Sequence, residues 1–321
     1  MKPVKKWVAQ ADISEVALEK WKAKRIYQQG YRFAGKHSAI KVCEWAKKSI
    51  RGQDSCYKSK FYKINSHQCV QMSPAAFFCD FNCLHCWRSL SFSLPKKDFK
   101  WDSPEKIIKN CIDEHKKVIA GFKGNGKISQ SKFAEASTPK HFAVSLSGEP
   151  CLYPYLPELI DNIKSKGMTA FLVTNGAHPG MIKKLIGKHE PANLYVTLHA
   201  PNKEIYKKEC CPIIKNGWGK ISETLSLLKN FDCNTIIRLT LSKHSNMVLP
   251  ELYAKMIEKA SPKFIEVKAY MPVGGARAKM GYKAMPLHEE IKKFAKEIEN
   301  NSSYKVINEK EESRVVLMSK S

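Results

Sequence analysis

Between residues 104 and 299, helix-like and strand-like segments alternate, and this alternation restricts the possible folds more than any other feature of the 321-residue chain. Helical periodicity recurs at Pro104–Ile119, Tyr155–Lys166, Met181–Ile186, Lys220–Leu228, Pro250–Lys259 and Leu287–Glu299. Short apolar runs lie between them at Phe142–Leu146, Thr169–Val173, Leu194–Leu198, Thr235–Leu241 and Phe264–Ala269, and Cys69–Cys79 reads as an earlier strand running into a loop. Strands that each lead into a helix predict an α/β fold with a parallel sheet. Such sheets carry their chemistry in the loops after the strands' C-terminal ends. Ser14–Gln29 reads as helix, Gly121–Gln130 as a polar surface loop, and Lys305–Ile307 with Val315–Met318 as a closing hairpin.

No apolar run reaches the roughly 18 residues that a membrane span needs. The basic start, Met1–Gln10, is not followed by the apolar stretch of a secretory signal, so a cytoplasmic protein without a membrane is expected. The net charge of +25 points to a polyanionic partner such as RNA, although lysines scattered along the whole chain also fit a compositional habit.

The chain has 11 cysteines, and six of them fall between Cys43 and Cys86. An odd number without an export signal argues for metal or catalytic use over a disulfide framework. Cys79-Asp-Phe-Asn-Cys83-Leu-His-Cys86 places three thiolates on one loop directly after the first strand, which suits an iron–sulfur cluster or a zinc ion. A structural zinc site wants a fourth ligand, and none is obvious downstream. Three ligands on a four-iron cluster leave one iron open. This C-x₃-C-x₂-C spacing at the first strand resembles the radical S-adenosylmethionine (SAM) superfamily. His85 then takes the non-ligating position where that superfamily tends to place a ring.

The resemblance extends to the later loops. Ser147-Gly148-Glu149-Pro150 stands where the superfamily has a Gly-Gly-Glu-like turn that binds the SAM amino group through backbone carbonyls, with Ser147 replacing the first Gly. It implies that Ser147, Gly148 and Glu149 receive SAM, and the shared position of Thr174, Asn175, Thr197, His199 and Arg238 at strand ends makes them candidates to line the same pocket. Taken one at a time, these residues read equally well as turn or packing residues.

Cys43, Cys56 and Cys69 are spaced C-x₁₂-C-x₁₂-C, which also suits ordinary buried thiols. The segment Ser55–Met72 running into Cys86-Trp87-Arg88, with Ser145–Pro150, Thr174–Gly176, Leu198–Pro201 and Val267–Gly274, resembles the archaeal tRNA 4-demethylwyosine synthases over about Trp21–Met285. Lys63 stands where that pattern leads one to expect Gly. The resemblance implies a radical SAM partial (β/α)6 barrel over 69–300. It also implies an extension over 1–68 carrying an auxiliary cluster, and a hairpin or tail over 301–321. Two four-iron clusters would be held by Cys43, Cys56 and Cys69 and by Cys79, Cys83 and Cys86. The substrates would be tRNA(Phe) with N1-methylguanosine 3′ of the anticodon, and pyruvate. A SAM-derived radical would take hydrogen from the N1-methyl group, and the resulting carbon radical would add to pyruvate. The carboxylate carbon would then be lost and the third ring would close. A separate flavodoxin- or ferredoxin-like donor and a monomeric enzyme are expected. Lys58, in the Cys56-Tyr-Lys stretch, would hold pyruvate as a Schiff base, with Lys41 and Lys60 as substitutes.

Trp45, Tyr57, Phe61, Tyr62, Trp87 and Trp101 offer rings for an unstacked base, or else core packing. The alternatives are another radical SAM tRNA-modifying enzyme and a non-catalytic zinc-ribbon RNA-binding protein. Gly121–Lys127 looks like a phosphate-binding loop, but it follows a helix and lacks the required Ser/Thr. Cys210-Cys211 reads as a pair with no third ligand near. Cys111, Cys151 and Cys233 read as core.

Overall fold

The computed structural model describes residues 27–88, 93–126 and 128–320. Ten strands form one sheet: β1 (Arg32–Phe33), β2 (Ala39–Lys41), β3 (Cys69–Ser73), β4 (His141–Val144), β5 (Thr169–Thr174), β6 (Asn193–Thr197), β7 (Asn234–Leu241), β8 (Phe264–Ala269), β9 (Tyr304–Lys310) and β10 (Val315–Lys320). Their order is β1-β2-β3-β4-β5-β6-β7-β8-β10-β9. β3 through β8 pair in parallel, as the alternation of segments requires. Both edges are antiparallel: β2 joins β3, and β10 joins β8 and β9. The first and last segments of the described chain thus extend the same sheet.

The helices are α1 (Glu44–Ile50), α2 (Tyr57–Tyr62), α3 (Pro104–Ala120), α4 (Gln130–Ala136), α5 (Leu156–Ser165), α6 (Pro179–Leu185), α7 (Lys203–Cys210), α8 (Gly217–Leu227), α9 (Pro250–Ala260), α10 (Gly274–Met280) and α11 (His288–Asn300). α5 buries Leu156, Leu159, Ile160 and Ile163, the i, i+3, i+4, i+7 stripe of a helix lying on a sheet. α3 starts at Ser103, whose hydroxyl accepts the Lys106 amide, with Pro104 at the first helical position. α1, α2, α4, α7 and α10 do not follow from the sequence pattern. Gly121–Gly126 forms turns, and Ile128 and Ser129 lead into α4. The helix expected over Ser14–Gln29 lies, but for its last residues, outside the described residues.

Because side chains alternate across a strand, each central strand has an outer and an inner face. Ala170, Leu172, Leu194, Val196, Ile237, Leu239, Ile265 and Val267 point outward into the main core. Phe171, Tyr195 and Ile236 point inward, and Ile64 joins them, with Tyr62, Val173 and Phe264 packed against the group. The segment around α2 therefore fills part of the concave face that an open barrel would otherwise leave to solvent. Among the described residues, no helix is long and apolar enough to cross a membrane.

Candidate active site

The two cysteine triplets lie at opposite ends of β3. Cys69 opens the strand and the Cys79–Cys86 loop follows it. A five-residue strand spans about 16 Å, so the triplets are separate centres.

Cys43 and Cys56 are the N-cap residues of α1 and α2, and the Cys43 Sγ accepts the Ala46 amide at 3.4 Å. Ser66 Oγ accepts the Cys56 amide at 2.9 Å, which ties the start of α2 to the approach to β3. The three thiols interact: burial, followed by the neighbouring thiols, pushes Cys43 up to about 11 and Cys69 up to about 12. Burial also raises Cys56. The three half-buried thiols, none in a disulfide, are all pushed toward their protonated form in the absence of a cation. A four-iron cluster suits that donor set.

The second triplet is built the same way. Burial and then Cys83 push Cys79 well above an ordinary thiol, and Cys83 in turn faces Cys210 and Cys86. Asn175 Nδ2 lies 3.9 Å from the Cys79 sulfur and donates to it. Lys279 Nζ donates to the Cys83 carbonyl at 2.9 Å. His178 Nε2 pairs with the buried Asp80 at 2.7 Å.

The Ser147–Pro150 turn closes over the approach to this loop. The Ser147 hydroxyl donates to the Ala76 carbonyl at 2.8 Å, and the Glu149 amide to the Phe78 carbonyl at 2.7 Å. Ser73 Oγ donates to the Ser147 carbonyl. Gly148 has φ +67°, and a Cβ there would collide with the Ala75 and Phe78 carbonyls. The Glu149 carboxylate turns inward: it accepts the Thr174 hydroxyl (2.6 Å), the Asn175 amide (2.8 Å) and the Cys151 amide (3.0 Å). Burial still raises its pKa. Glu149 thus locks the loops after β4 and β5 together with its side chain. Gly274, at φ +55°, packs on the Trp87 carbonyl just past Cys86 and leaves no room for a Cβ.

The other expected pocket residues divide into two groups. Thr174 and Asn175 belong to the turn, and Thr197 lies half-buried on β6 beside Arg238. His199 is buried beneath the triplet loop and stacks on His85 at 5.1 Å, with neither ring nitrogen hydrogen-bonded. Arg238, grouped with the cofactor turns from its strand position, pairs with Glu266 (Nε–Oε2 2.9 Å) and donates to the Tyr57 hydroxyl at 2.8 Å. It lies on the inner wall beside Lys58.

Lys58 is 9% exposed. Its Nζ lies 4.5 Å from the Tyr195 ring centroid and 5.0 Å from that of Phe171. Burial, then the Arg238 charge, lowers its pKa against the opposing pull of Cys56, Glu266 and Cys69. The main lowering charge is therefore Arg238. Lys60 is exposed and donates to the Glu309 carbonyl (2.7 Å), whereas Lys41 faces Tyr31 and Trp87 and donates to the Gln29 carbonyl (2.7 Å). Lys268 is a second lysine of this wall, brought down to about 8 by burial and Arg238. Glu266 had no signal in the sequence, where one carboxylate in a strand looks like any solvated residue.

Several rings offered as base platforms are used internally. Tyr57 and Tyr62 donate to Glu266 at 3.0 and 2.9 Å, and Trp101 packs among His37, Phe78, Phe99 and Tyr153. Cys210 has near neighbours after all, Cys83 and His199.

Comparison with known proteins identifies the family. Residues 74–259 match the model of the Radical SAM superfamily, and residues 259–320 match the model for wyosine base formation. The S-adenosyl-L-methionine-dependent tRNA 4-demethylwyosine synthase of Pyrococcus abyssi is 43% identical over 297 residues, covering 91% of this chain and 86% of the relative. That of Methanocaldococcus jannaschii is 39% identical, covering 92% of this chain and 94% of the relative. The solved structure of TYW1 with a lysine-pyruvate adduct bound superposes with a TM-score of 0.84 at 38% identity, covering 92% of this chain and 94% of that one.

Proposed function

The chain belongs to the S-adenosyl-L-methionine-dependent tRNA 4-demethylwyosine synthases, radical SAM enzymes that use a four-iron cluster and SAM, and on that premise we propose how its own residues divide the work. Cys79, Cys83 and Cys86 hold the SAM-cleaving cluster, and Cys43, Cys56 and Cys69 hold an auxiliary one. The Ser147-Gly148-Glu149 turn and Asn175 receive SAM. N1-methylguanosine in tRNA(Phe) and pyruvate are the two substrates, and a separate one-electron carrier supplies the reductant. When bound, the cluster and SAM supply the one-electron cleavage that starts hydrogen abstraction from the N1-methyl group.

Lys58 is the catalytic lysine. Its neutral amine attacks the carbonyl carbon of pyruvate, a C=N bond replaces C=O, and water leaves. Exchange with the guanine amino group returns the amine to Lys58. Burial and then the Arg238 charge lower the Lys58 pKa and so favour its neutral amine, and the Tyr195 and Phe171 rings lie beside the nitrogen. The observation that carries this reading is the position of Lys58. It is the buried lysine on the inner wall, flanked by Cys56 and Cys69, and a relative's structure holds a lysine-pyruvate adduct.

The test is anaerobic incubation of the reconstituted enzyme with SAM, a reductant, labelled pyruvate and N1-methylguanosine-containing tRNA. Nucleoside mass spectrometry reads the product, and borohydride trapping with peptide mapping reads the lysine. Lys58→Ala should lose both trapping and the tricyclic base, whereas Lys268→Ala should still trap. Label on Lys268, or product from Lys58→Ala, overturns the assignment.

A further inference from the structure

α7 ends against the Cys79–Cys86 loop, and backbone hydrogen bonds fasten the two together. The Asn82 amide donates to the Cys210 carbonyl at 3.0 Å, the Leu84 amide to the Glu209 carbonyl at 2.9 Å, and the Ile213 amide to the Asp80 carbonyl at 2.9 Å. This ladder brings the fully buried Cys210 sulfur to within 4.8 Å of the Cys83 sulfur. Among the described residues, only Cys83, His199 and Cys210 form a group of three potential ligand atoms all within 4.8 Å of one another. The chemistry described above gives Cys210 no part.

We propose that Cys210 is a positioning residue that donates an S–H···S hydrogen bond to the Cys83 sulfur when Cys83 ligates the SAM-cleaving cluster, and so raises that cluster's reduction potential. This rests on the reading of Cys79, Cys83 and Cys86 as the cluster's ligands. A cysteine bound to iron is a thiolate with no proton, so Cys210 becomes the donor of the pair. Reduction adds one electron and no proton to the cluster, and negative charge on the ligand sulfurs grows. A donor aimed at one of those sulfurs stabilises the reduced form more than the oxidised form. The site is buried: Cys210 and Glu209 have no exposed surface and His199 is 6% exposed, so bulk solvent does not readily replace a lost donor.

The experiment is a dithionite titration of anaerobically reconstituted full-length protein. It follows the paramagnetic resonance signal that changes on adding SAM, which identifies the cluster being read. Cys210→Ala should hold the electron about tenfold less tightly, a fall of about 59 mV for a one-electron couple. Cys210→Ser keeps an O–H donor and should stay closer to wild type. Iron is counted in every sample. An unchanged potential in Cys210→Ala, equal falls in Ala and Ser, or loss of iron from both variants would overturn the proposal. A wild type whose signal ignores SAM would instead fault the ligand assignment on which the proposal rests.

Discussion

Glu266 holds Arg238 at 2.9 Å on the inner face of the sheet, and the Glu266 side chain has no exposed surface. The same carboxylate accepts the hydroxyls of Tyr57 and Tyr62, so one residue on β8 anchors both ends of α2. Removing its charge leaves Arg238, whose side chain is only 16% exposed, without a counter-ion. Breaking a buried pair in this way costs about 3–5 kcal/mol, against less than about 1 kcal/mol for an exposed pair. Glu266→Gln should therefore lower the urea unfolding midpoint far more than Lys183→Ala, which removes the surface pair with Glu223. Equal midpoints would show that the network does not anchor α2.

Gly148→Ala tests the cofactor turn. The left-handed backbone alone costs about 1–3 kcal/mol for a side chain. The new methyl would also meet two backbone carbonyls, which are not free to rotate away as a flexible side chain would. The variant should keep its iron and lose SAM binding, measured by equilibrium dialysis. Binding at wild-type affinity would remove the turn from the SAM site.

The net charge of +25 makes a separate prediction for the tRNA. If surface lysines meet phosphates, log affinity should fall linearly with log salt, at close to one unit per phosphate neutralised. A slope of several units is the expected result in filter binding. A flat response would mean the charge is compositional and the RNA is held by other means.

His141 predicts a stability change with pH. Its Nε2 accepts the Asn65 amide at 3.3 Å, which leaves the proton on Nδ1, 2.6 Å from the Thr169 hydroxyl. Protonating Nε2 would set one N–H against another. Burial, then repulsion from Lys140 and His67, brings its pKa down from 6.5 to about 4. A lowered folded pKa stabilises above the unfolded value and is lost on acidification. The contribution is complete above about pH 6.5 and declines from there to about 4. In His141→Gln the urea midpoint should depend less on pH in that window. Parallel curves for the two proteins would contradict the assignment.

The parallel sheet was legible because each buried strand is a short apolar run and each covering helix carries a stripe such as Leu156, Leu159, Ile160 and Ile163. α7 was not legible. Lys-Glu-Ile-Tyr-Lys-Lys-Glu-Cys offers two large apolar residues, and its stability comes from docking on the triplet loop. α1 and α2 escaped notice because cysteines stand at their caps. Of the site, the ligand cysteines and the Ser147–Pro150 turn were visible as local spacing. The Arg238–Glu266 and Cys83–Cys210 pairs were not, since they join residues that only the folded sheet brings together. Lys58 was visible through its closeness to Cys56, but not the wall of Tyr195 and Phe171 around it.

The two triplets also predict how iron is lost. They sit at the two ends of β3, and each is fastened by different elements: the upstream one by the starts of α1 and α2, the downstream one by the end of α7. Emptying one should leave the other intact. Reconstituted wild type should bind about eight iron atoms, as two four-iron clusters. With Cys43, Cys56 and Cys69 all changed to Ala, iron should settle near about four, SAM cleavage should persist and the tricyclic base should not form. With Cys79, Cys83 and Cys86 changed instead, the iron count should be similar but SAM cleavage should stop. Wild-type iron that saturates near about four would leave Cys43, Cys56 and Cys69 as buried thiols and remove the auxiliary centre.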